Sequence, residues 1–340
     1  MKAVRIHEFG GPEVLRYEDA PDPHPRQDQV LVWVRACAMN HLDLFVRKGL
    51  PGVKLPHILG SDIAGEIVSV GEYVSGFKPG QRVLLAPMVF CNHCAKCAAG
   101  LQNQCPQFTV LGNGGDGGNC ELIAVPAVNV IPIPDSLDFN QAASVPLVFL
   151  TAWHMLVGRA GISPGQTVLV LGGGSGVGIA AIQIAKLFHA RVITTAGDEA
   201  KLEKARALGA DHGINHYKQK ISQEVRAITG KAGVDIVVEH VGAATWEESM
   251  KSLKPGGTIV TCGATTGPNA AFDLRFLFAR QLSFLGSYMG TMGELHEVLS
   301  HVFAGRLKPV VDRTFPLKEA RAAHEYLESS QMFGKIVLNP

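Results

Sequence analysis

The chain lacks both a long apolar run and an excess of charge of either sign. None of its apolar segments approaches the roughly 20 residues that a membrane-spanning helix needs, and residues 1–7 have the pattern of a strand, not of a leader segment. Its 31 basic side chains nearly balance 30 acidic ones, which argues against a nucleic-acid-binding surface. We therefore expect a soluble cytoplasmic protein that binds a small molecule and neither a membrane nor a nucleic acid.

Aromatic residues are scarce as well, at 7% of the chain, whereas glycine is abundant, at 38 residues. Glycine permits tight turns and lets a ligand approach the backbone closely. This balance is typical of turn-rich sheets that bind a nucleotide. Since single hydrophobic cores stop growing near ~250–300 residues, a chain of 340 residues is expected to form two domains.

The apolar pattern changes along the chain. Up to about residue 125, short strands alternate with turn residues, which predicts a compact all-β unit. From Thr167 onwards, short apolar runs alternate with helical periods, the pattern of βαβ units in a doubly wound parallel sheet. Beyond Tyr288 this alternation stops, and we expect the tail to return to the first domain. The predicted fold is α/β, with one domain of residues 1–147 and 289–340 and a second of residues 148–288.

The elements of these domains can be assigned individually, and no internal repeat interrupts them. In the first domain we expect strands at residues 30–36, 63–70 and 82–85, and in its returning tail a helix at 292–304 and strands at 310–315 and 335–338. In the second domain we expect strands at 167–171, 191–196, 234–239, 258–262 and 282–287, and helices at 176–188, 199–208, 221–229 and 245–253.

Four of the seven cysteines crowd one short segment. Their spacing allows four thiolates to converge on a tetrahedral zinc ion. A closed shell of four sulfurs leaves no open coordination position, so such a metal would stabilise a loop and take no part in catalysis. Free thiols and an iron–sulfur cluster are the alternatives. The predicted ligands of one structural zinc per chain are Cys91, Cys94, Cys97 and Cys105, while the scattered Cys37, Cys120 and Cys262 are expected to be small buried residues.

A glycine-rich turn follows the apolar run of residues 168–171 and precedes a helical pattern that ends near Phe188. In this context backbone amides at the helix N-terminus can hold a pyrophosphate, and missing side chains let it approach. The dinucleotide fingerprint would require a glycine where Ser175 stands, so the motif alone is weak, but the βα periods that follow strengthen it. The residues expected to bind the cofactor here are Gly173, Ser175, Gly176, Val177 and Gly178.

The end of the second strand of such a domain selects the cofactor. An acidic residue there bonds a free ribose 2′-hydroxyl and repels a 2′-phosphate. Ala196 stands at this position, which favours NADP(H) over NAD(H). Asp198 and Glu199 follow closely and keep NAD(H) open, unless they only stabilise the N-terminus of the next helix. The candidate partners of a 2′-phosphate are Lys201 and either His216 or Tyr217.

Several of these motifs resemble the medium-chain dehydrogenase/reductase superfamily, and the likeness extends over essentially the whole chain. Besides the cysteines and the glycine turn, it includes the opening strand at residues 1–4, the segment Gly-Ser-Asp-Ile-Ala-Gly at 60–65 and the ending Phe-Gly-Lys-Ile-Val-Leu at 333–338. The resemblance implies a GroES-like catalytic domain, a Rossmann domain, an active site in the cleft between them, and homodimers or homotetramers.

Alcohol dehydrogenases of this superfamily hold a catalytic zinc through a cysteine, a histidine and a further cysteine or acidic residue. Here Asn40 stands at the cysteine, Ser61 at the histidine, and residues 147–150 offer no ligand side chain. Leu42 also replaces the hydroxyl of the proton relay. A zinc-alkoxide mechanism is therefore not expected. A different metal set would have to come from His41, Asp43, His57 and Asp62, whose more ordinary interpretation is as residues without a metal.

What remains resembles the zinc-independent quinone and enone reductases of the superfamily, which transfer a hydride from nicotinamide to the β-carbon of a conjugated carbonyl compound. The protein then has to orient the acceptor and stabilise an enolate oxygen. Asn40 is the candidate catalytic residue, as a donor or orienting group, with a structural turn residue as the alternative. No proton donor stands out, since Tyr288 is better explained by core packing. By resemblance, the residues near the nicotinamide or the phosphates are Thr151, Gly263 and Lys335.

The sequence thus favours an NADP(H)-dependent quinone or enone oxidoreductase. One alternative is an alcohol or polyol dehydrogenase with an atypical catalytic metal site. The other is a nucleotide-binding protein without enzyme activity, because the superfamily also contains lens crystallins and RNA-binding relatives. Nothing in the sequence pattern identifies the physiological substrate.

Overall fold

The computed structural model describes residues 1–340 and divides them into two compact units. The first comprises Met1–Leu147, Thr291–Phe303 and Pro309–Pro340, and the second comprises Val148–Gly290 and Ala304–Lys308. None of the helices combines the length and the apolar character that crossing a membrane requires.

The elements are numbered in chain order. The strands are β1 (Lys2–Ile6), β2 (Leu15–Asp19), β3 (Gln29–Ala38), β4 (His57–Ile58), β5 (Asp62–Val70), β6 (Arg82–Leu85), β7 (Met88–Val89), β8 (Thr109–Val110), β9 (Leu122–Pro126), β10 (Val130–Pro132), β11 (Thr167–Val170), β12 (Arg191–Ala196), β13 (His212–Asn215), β14 (Val234–Glu239), β15 (Leu253–Thr261), β16 (Ser283–Gly286), β17 (Val311–Pro316) and β18 (Lys335–Asn339). The helices are α1 (His41–Gly49), α2 (Ala95–Ala98), α3 (Phe139–Ala143), α4 (Pro146–Trp153), α5 (Gly176–Leu187), α6 (Glu199–Ala207), α7 (Ile221–Ile228), α8 (Trp246–Ser252), α9 (Leu274–Ala279), α10 (Met292–Phe303) and α11 (Ala320–Glu328).

The first unit is built around a seven-stranded sheet. Its strands follow the order β10-β6-β5-β3-β18-β17, and β9 also pairs with β3. Side chains alternate along β3, so Val32 and Val34 are buried in the core whereas Trp33 between them is exposed. The strand β18 runs antiparallel to β3 and sets Val337 opposite Ala38. This pairing brings the start of β18 close to the end of β3.

The second unit contains six parallel strands in the order β13-β12-β11-β14-β15-β16. The first three strands along the chain extend to one edge and the last three to the other, so the strand order reverses between β11 and β14. Leu169, Ile193, Val237 and Ile259 belong to the core of this unit. A doubly wound sheet of this kind binds its ligand outside the carboxyl ends of the strands, at the point of reversal.

The predicted fold class is confirmed, since a β-rich unit and a doubly wound parallel sheet are both present. The predicted ends of most elements lie within two residues of the observed ones. The strand β15 is an exception, because it starts at Leu253 and includes the Lys-Pro-Gly-Gly segment, with a register shift between Val234 and Ile236 on β14. The four-residue strand β13 was missed because its apolar run is too short to give a pattern.

Two further expectations were wrong. The first part of the chain is not all-β, because it contains α1, α2 and α3. The apolar pattern did not predict α1, because the buried side of this helix includes the charged Asp43 and Arg47 next to Leu44 and Val46. The tail also differs, because Ala304–Lys308 belongs to the second unit. The amide side chain of Gln183 on α5 holds this segment through hydrogen bonds of 2.9 and 2.8 Å to the backbone of Lys308.

A buried arginine connects α1 with α11. The side chain of Arg47 is completely buried, and its guanidinium donates to Glu328 Oε1 at 2.7 Å, to Gly10 O at 3.2 Å and to His324 Nδ1 at 3.1 Å. Because a guanidinium only donates, His324 Nδ1 must accept and the imidazole must be neutral. Burial, followed by the charge of Arg47, lowers the pKa of His324 to about 3.

His324 should make the folded chain sensitive to acid. Its pKa is about 3 in the folded state and 6.5 as the ordinary value, so the unfolded state binds the proton first and stability falls as the pH drops below 6.5. From pH 7 to pH 5 this contribution amounts to about 2 kcal/mol. A His324→Gln variant, whose neutral amide can still accept from Arg47, should lose about 2 kcal/mol less over this interval in urea denaturation.

Asp43 acts in the opposite direction, because burial raises its pKa to about 6 and acid then favours the folded state between that value and the ordinary 3.8. Asp43 is present in both proteins, so its contribution cancels in the comparison. Equal pH slopes for the two proteins would show that His324 is not responsible for the sensitivity.

Candidate active site

The glycine-rich turn between β11 and α5 is held by β12. Gly172 has a left-handed backbone, with φ of 58°, and its amide donates to Thr195 Oγ1 at 3.0 Å. The amide of Gly173 donates to Thr195 O at 2.8 Å. A Cβ on Gly173 would lie 2.2 Å from Thr194 Oγ1, so a side chain does not fit there. The two threonines of β12 thus define the path of the turn.

Ser175, the residue that breaks the strict fingerprint, caps α5. Its Oγ accepts from the amide of Gly178 at 3.0 Å. A Cβ on Gly178 would lie 2.2 Å from Gly172 O, which explains the glycine where the helix meets the turn. The amides of Gly176 and Val177 belong to the first helical turn and have no acceptor within the helix. Together with the helix dipole they form a site where a phosphate can bind.

His240 gave no signal in the sequence, yet it lies against the same turn. It directly follows β14, the strand next to β11. Its Nε2 lies 2.8 Å from Leu171 O and 3.5 Å from Ser175 Oγ, and a Cβ on Gly172 would lie 3.1 Å from its Cε1. Only its place directly after the strand where the order reverses could have indicated it.

The two acids that follow β12 have local partners. Asp198 caps α6 by accepting from the amide of Lys201 at 2.8 Å. Glu199 in the first turn of α6 pairs with Arg206 at 2.7 Å. Their contacts match the interpretation in which they stabilise the helix N-terminus. Ala196, which ends β12, brings no carboxylate to this edge of the sheet.

The three candidate partners of a 2′-phosphate come together beyond the ends of β12 and β13. The rings of His216 and Tyr217 meet edge to face, with centroids 4.6 Å apart. Tyr217 is 82% exposed, and its Cε2 would lie 2.7 Å from a Cβ on Gly197. Burial, followed by the charge of Lys201, lowers the pKa of His216. Lys201 is therefore near enough to act on the imidazole.

Three polar side chains of the first unit form a buried group, called the Asn40 cluster and made of Asn40, Asp62 and Lys335. Lys335 Nζ donates to Asn40 Oδ1 at 2.6 Å and to Asp62 Oδ2 at 2.9 Å. Asn40 Nδ2 donates to Asp62 Oδ2 at 3.0 Å, and Asp62 Oδ1 accepts from the amide of Leu147 at 2.8 Å. The resemblance implied a place for Lys335 near nicotinamide or phosphates, whereas its ammonium bonds to Asn40 and Asp62.

Two of the residues considered for a different metal site, Asp43 and His57, bond to the backbone, whereas Asp62 belongs to the Asn40 cluster. Asp43 accepts from the amides of Asn40 at 2.7 Å and Gly60 at 2.9 Å. His57 Nε2 lies 2.9 Å from Gly112 O. Burial raises the pKa of Asp43 to about 6. These side chains therefore serve the loop around Gly60 and do not converge on one point.

Ser61 stands where the superfamily's alcohol dehydrogenases have a zinc-binding histidine. It is completely buried, and its hydroxyl has no hydrogen-bond partner. Asn119 is buried too and has no partner for either amide atom, and its Oδ1 would lie 2.7 Å from a Cβ on Gly60. Each unpaired buried polar group costs about 1–3 kcal/mol, and such groups are rare. The three such groups of Ser61 and Asn119 beside Gly60 could be satisfied by a polar atom of a ligand.

The remaining candidates lie in the second unit. Thr151 is buried, with its Oγ1 3.9 Å from Met289 Sδ. Gly263 follows β15, and its carbonyl accepts from Thr261 Oγ1 at 3.2 Å. Tyr288 is 55% exposed, so the expectation that core packing explains it was wrong. Its partial burial raises the pKa of the phenol.

The four cysteines predicted to bind zinc converge on one point. All four sulfurs lie within 4.8 Å of one another, and three of the pairs lie at 3.5, 3.8 and 3.9 Å. Four sulfurs at ~2.3 Å from a tetrahedral zinc ion would be separated by about 3.8 Å. The arrangement therefore fits a four-thiolate metal. The residues of this cysteine cluster are Cys91, Cys94, Cys97 and Cys105.

Comparison with known proteins identifies the family to which the chain belongs. Residues 26–135 match the model of the alcohol dehydrogenase GroES-like domain, and residues 176–304 match that of the zinc-binding dehydrogenases. The chain is 30% identical to human quinone oxidoreductase over 99% of its own length and 97% of that protein's. It belongs to the medium-chain dehydrogenase/reductase superfamily. As a member, it is an oxidoreductase of a nicotinamide-dependent family, which confirms the predicted enzyme class.

Alcohol dehydrogenases of the superfamily are at least as similar to this medium-chain dehydrogenase/reductase. An NAD-dependent alcohol dehydrogenase from Sulfurisphaera tokodaii is 32% identical, with both chains fully covered. The crystal structure of an NAD-dependent alcohol dehydrogenase is 46% identical, with a TM-score of 0.97 and full coverage of both chains. Membership therefore leaves the substrate class to be argued from the site.

The cysteine cluster should hold one zinc per chain. Elemental analysis by mass spectrometry should find that Cys97→Ser reduces the zinc content to near zero and that it lowers the midpoint of thermal unfolding, because the loop loses its cross-link. Cys262→Ser, which changes a cysteine outside the cluster, should keep the metal. Retention of one zinc by the Cys97→Ser protein would rule out the site.

The turn should tolerate no side chain at Gly178. Gly178→Ala forces a Cβ against Gly172 O and should weaken NADPH binding about tenfold or more in a fluorescence titration, because the phosphate-binding amides shift. Gly115→Ala is the matched control, since a Cβ there meets nothing within 4 Å. Similar affinities of the two variants would contradict the placement of the cofactor on this turn.

Proposed function

We propose that the protein is an NADP(H)-dependent reductase of quinones or α,β-unsaturated carbonyl compounds that acts without a catalytic metal. The Asn40 cluster carries this proposal. At the position of the first zinc ligand of the superfamily's alcohol dehydrogenases, Asn40 bonds to the ammonium of Lys335, which pairs with Asp62 at 2.9 Å. A zinc ion would have to displace this resident cation. The identity to human quinone oxidoreductase supports the same choice.

Reduction of a conjugated carbonyl compound requires fewer catalytic groups from the protein than oxidation of an alcohol, because no alcohol has to be deprotonated. When bound, the cofactor supplies a hydride to the β-carbon, and water supplies the proton that completes the reduction. The chain itself has to orient the acceptor and stabilise the negative charge on its oxygen. We assign the donor role to Ser61, whose buried hydroxyl has no partner in the chain. We assign Asn40 an orienting role only. Its amide oxygen accepts from Lys335 and its amide nitrogen donates to Asp62, so the donor role goes to Ser61.

The edge of the sheet beyond β12 favours NADP(H). Ala196 ends the strand without a carboxylate, and Asp198 is already used as a helix cap. Lys201, His216 and Tyr217 offer an ammonium, an imidazole and an exposed phenol in one place. A 2′-phosphate would receive charge-assisted hydrogen bonds there, which a neutral 2′-hydroxyl would not.

The cysteine cluster is assigned to a structural zinc. Its four thiolates close the coordination shell, so the ion would stabilise the loop and could not polarise a substrate. The family resemblance also supports a homodimer or homotetramer in the cytoplasm, with a small-molecule substrate.

An NAD-dependent alcohol dehydrogenase is the second candidate, and the 46% identity to a structure of that description favours it. This function needs a catalytic metal in addition to the structural one. It therefore predicts two zinc ions per chain and oxidation of alcohols, and both can be measured on the same preparation.

Oxidation of NADPH with panels of quinones and enones, followed by absorbance, tests the reductase. At least one acceptor should be turned over well above background, while alcohols are oxidised with neither NADP⁺ nor NAD⁺. Ser61→Ala should lower kcat for that acceptor by roughly 10²-fold and leave NADPH affinity unchanged. Ser144→Ala, which removes a buried hydroxyl bonded to Asn140 O, is the control. Tight NADPH binding without turnover of any acceptor would contradict the proposal.

Cofactor preference has its own test. Lys201→Ala should weaken NADPH binding about tenfold and change NADH affinity little, because only the 2′-phosphate needs the charge. Lys204→Ala on the same helix is the matched control. Equal losses for both cofactors in isothermal titration would show that Lys201 does not contact the 2′-phosphate.

A further inference from the structure

His240 lies where the strand order of the parallel sheet reverses. It directly follows β14, and the strand order reverses between β14 and β11. A doubly wound domain consists of two mononucleotide-binding halves, which here are β11 to β13 and β14 to β16. The first half carries the group that selects the adenosine ribose, so the second half receives the nicotinamide nucleotide. His240 is the first residue after β14, the opening strand of that second half.

The contacts of His240 determine which ring nitrogen carries the proton. Its Nε2 lies 2.8 Å from Leu171 O, and a carbonyl oxygen can only accept. Nε2 is therefore the donor, and Nδ1 of the neutral ring is an acceptor with a free lone pair. Burial lowers the pKa of His240 and keeps the ring neutral.

The carboxylate of the adjacent Glu239 bonds to other groups and not to His240. Glu239 is completely buried, and its carboxylate accepts from the amides of Val241 at 2.7 Å and Gly242 at 3.0 Å. It also accepts from the hydroxyls of Thr245 at 3.0 Å and Ser249 at 2.6 Å. Glu239 thus serves the loop after β14, and Nδ1 of His240 has no hydrogen-bond partner within the chain.

We infer that Nδ1 of His240 accepts a hydrogen bond from a ribose hydroxyl on the nicotinamide half of the bound dinucleotide. A phosphate group ionised at neutral pH has no proton to donate to Nδ1, whereas a ribose hydroxyl does. The contact would use one edge of the ring for the cofactor while the opposite edge holds Leu171 O at the start of the turn. This inference depends on the proposed dinucleotide binding and adds a residue to that site.

Binding of a whole cofactor and of its adenosine half distinguishes a ligand contact from a structural role. His240→Leu should weaken NADPH binding roughly tenfold and leave the affinity for adenosine 2′,5′-bisphosphate, which lacks the nicotinamide half, unchanged. His240→Gln, which can both donate to Leu171 O and accept at its other amide atom, should restore most of the NADPH affinity. All affinities are measured by isothermal titration in the absence of an acceptor.

Two results would overturn the inference. Equal losses for NADPH and for the bisphosphate would mean that His240 only shapes the turn, and unchanged NADPH affinity would mean that it does not meet the cofactor. Failure of the unmodified protein to bind NADPH or NADH would instead contradict the proposed function. The two failures are therefore distinguishable.

Discussion

The buried pairing of Lys335 with Asp62 is the constraint on which the first unit depends. Lys335 is 5% exposed and Asp62 completely buried, so neither charge has water to stabilise it. Removing one partner of such a pair typically costs about 3–5 kcal/mol, because the other charge stays buried alone. Asp62 also accepts from the side-chain amide of Asn40 and from the backbone amide of Leu147. The pairing therefore fixes the end of β3, the start of β5 and the start of β18 in one arrangement.

This arrangement also sets the chemistry of the site. The superfamily's alcohol dehydrogenases use a cysteine and a histidine at the positions of Asn40 and Ser61, and a soft ligand pair attracts a zinc ion. Here an amide and a hydroxyl stand there, and an ammonium from the last strand supplies the positive charge. An ammonium is a weaker electrophile than zinc and cannot lower the pKa of an alcohol to the same extent. The proposed substrates already have an activated double bond and do not need such a pKa shift.

Short-range features could be predicted from the sequence, whereas long-range contacts could not. The cysteine cluster and the glycine turn each lie within one short segment, so their spacing was sufficient. Lys335 lies 295 residues from Asn40, and His240 lies 69 residues from Leu171, so only the pairing of strands brings them together. Composition and periodicity do not contain that information. Asn40 was found by its position in a family motif, but its hydrogen bonds depend on β18.

The place of β18 in the sheet has a consequence for folding during synthesis. β18 lies between β3 and β17, yet it consists of residues Lys335–Asn339, which leave the ribosome after the whole second unit. Until then Cys37 and Ala38 at the end of β3 have no partner on the edge where Gln29–Trp33 pair with β9, and the carboxylate of Asp62 has no ammonium. The second unit consists almost entirely of the continuous stretch Val148–Gly290 and can complete its core earlier. We therefore expect the second unit to be translated and folded before β18 completes the sheet of the first unit.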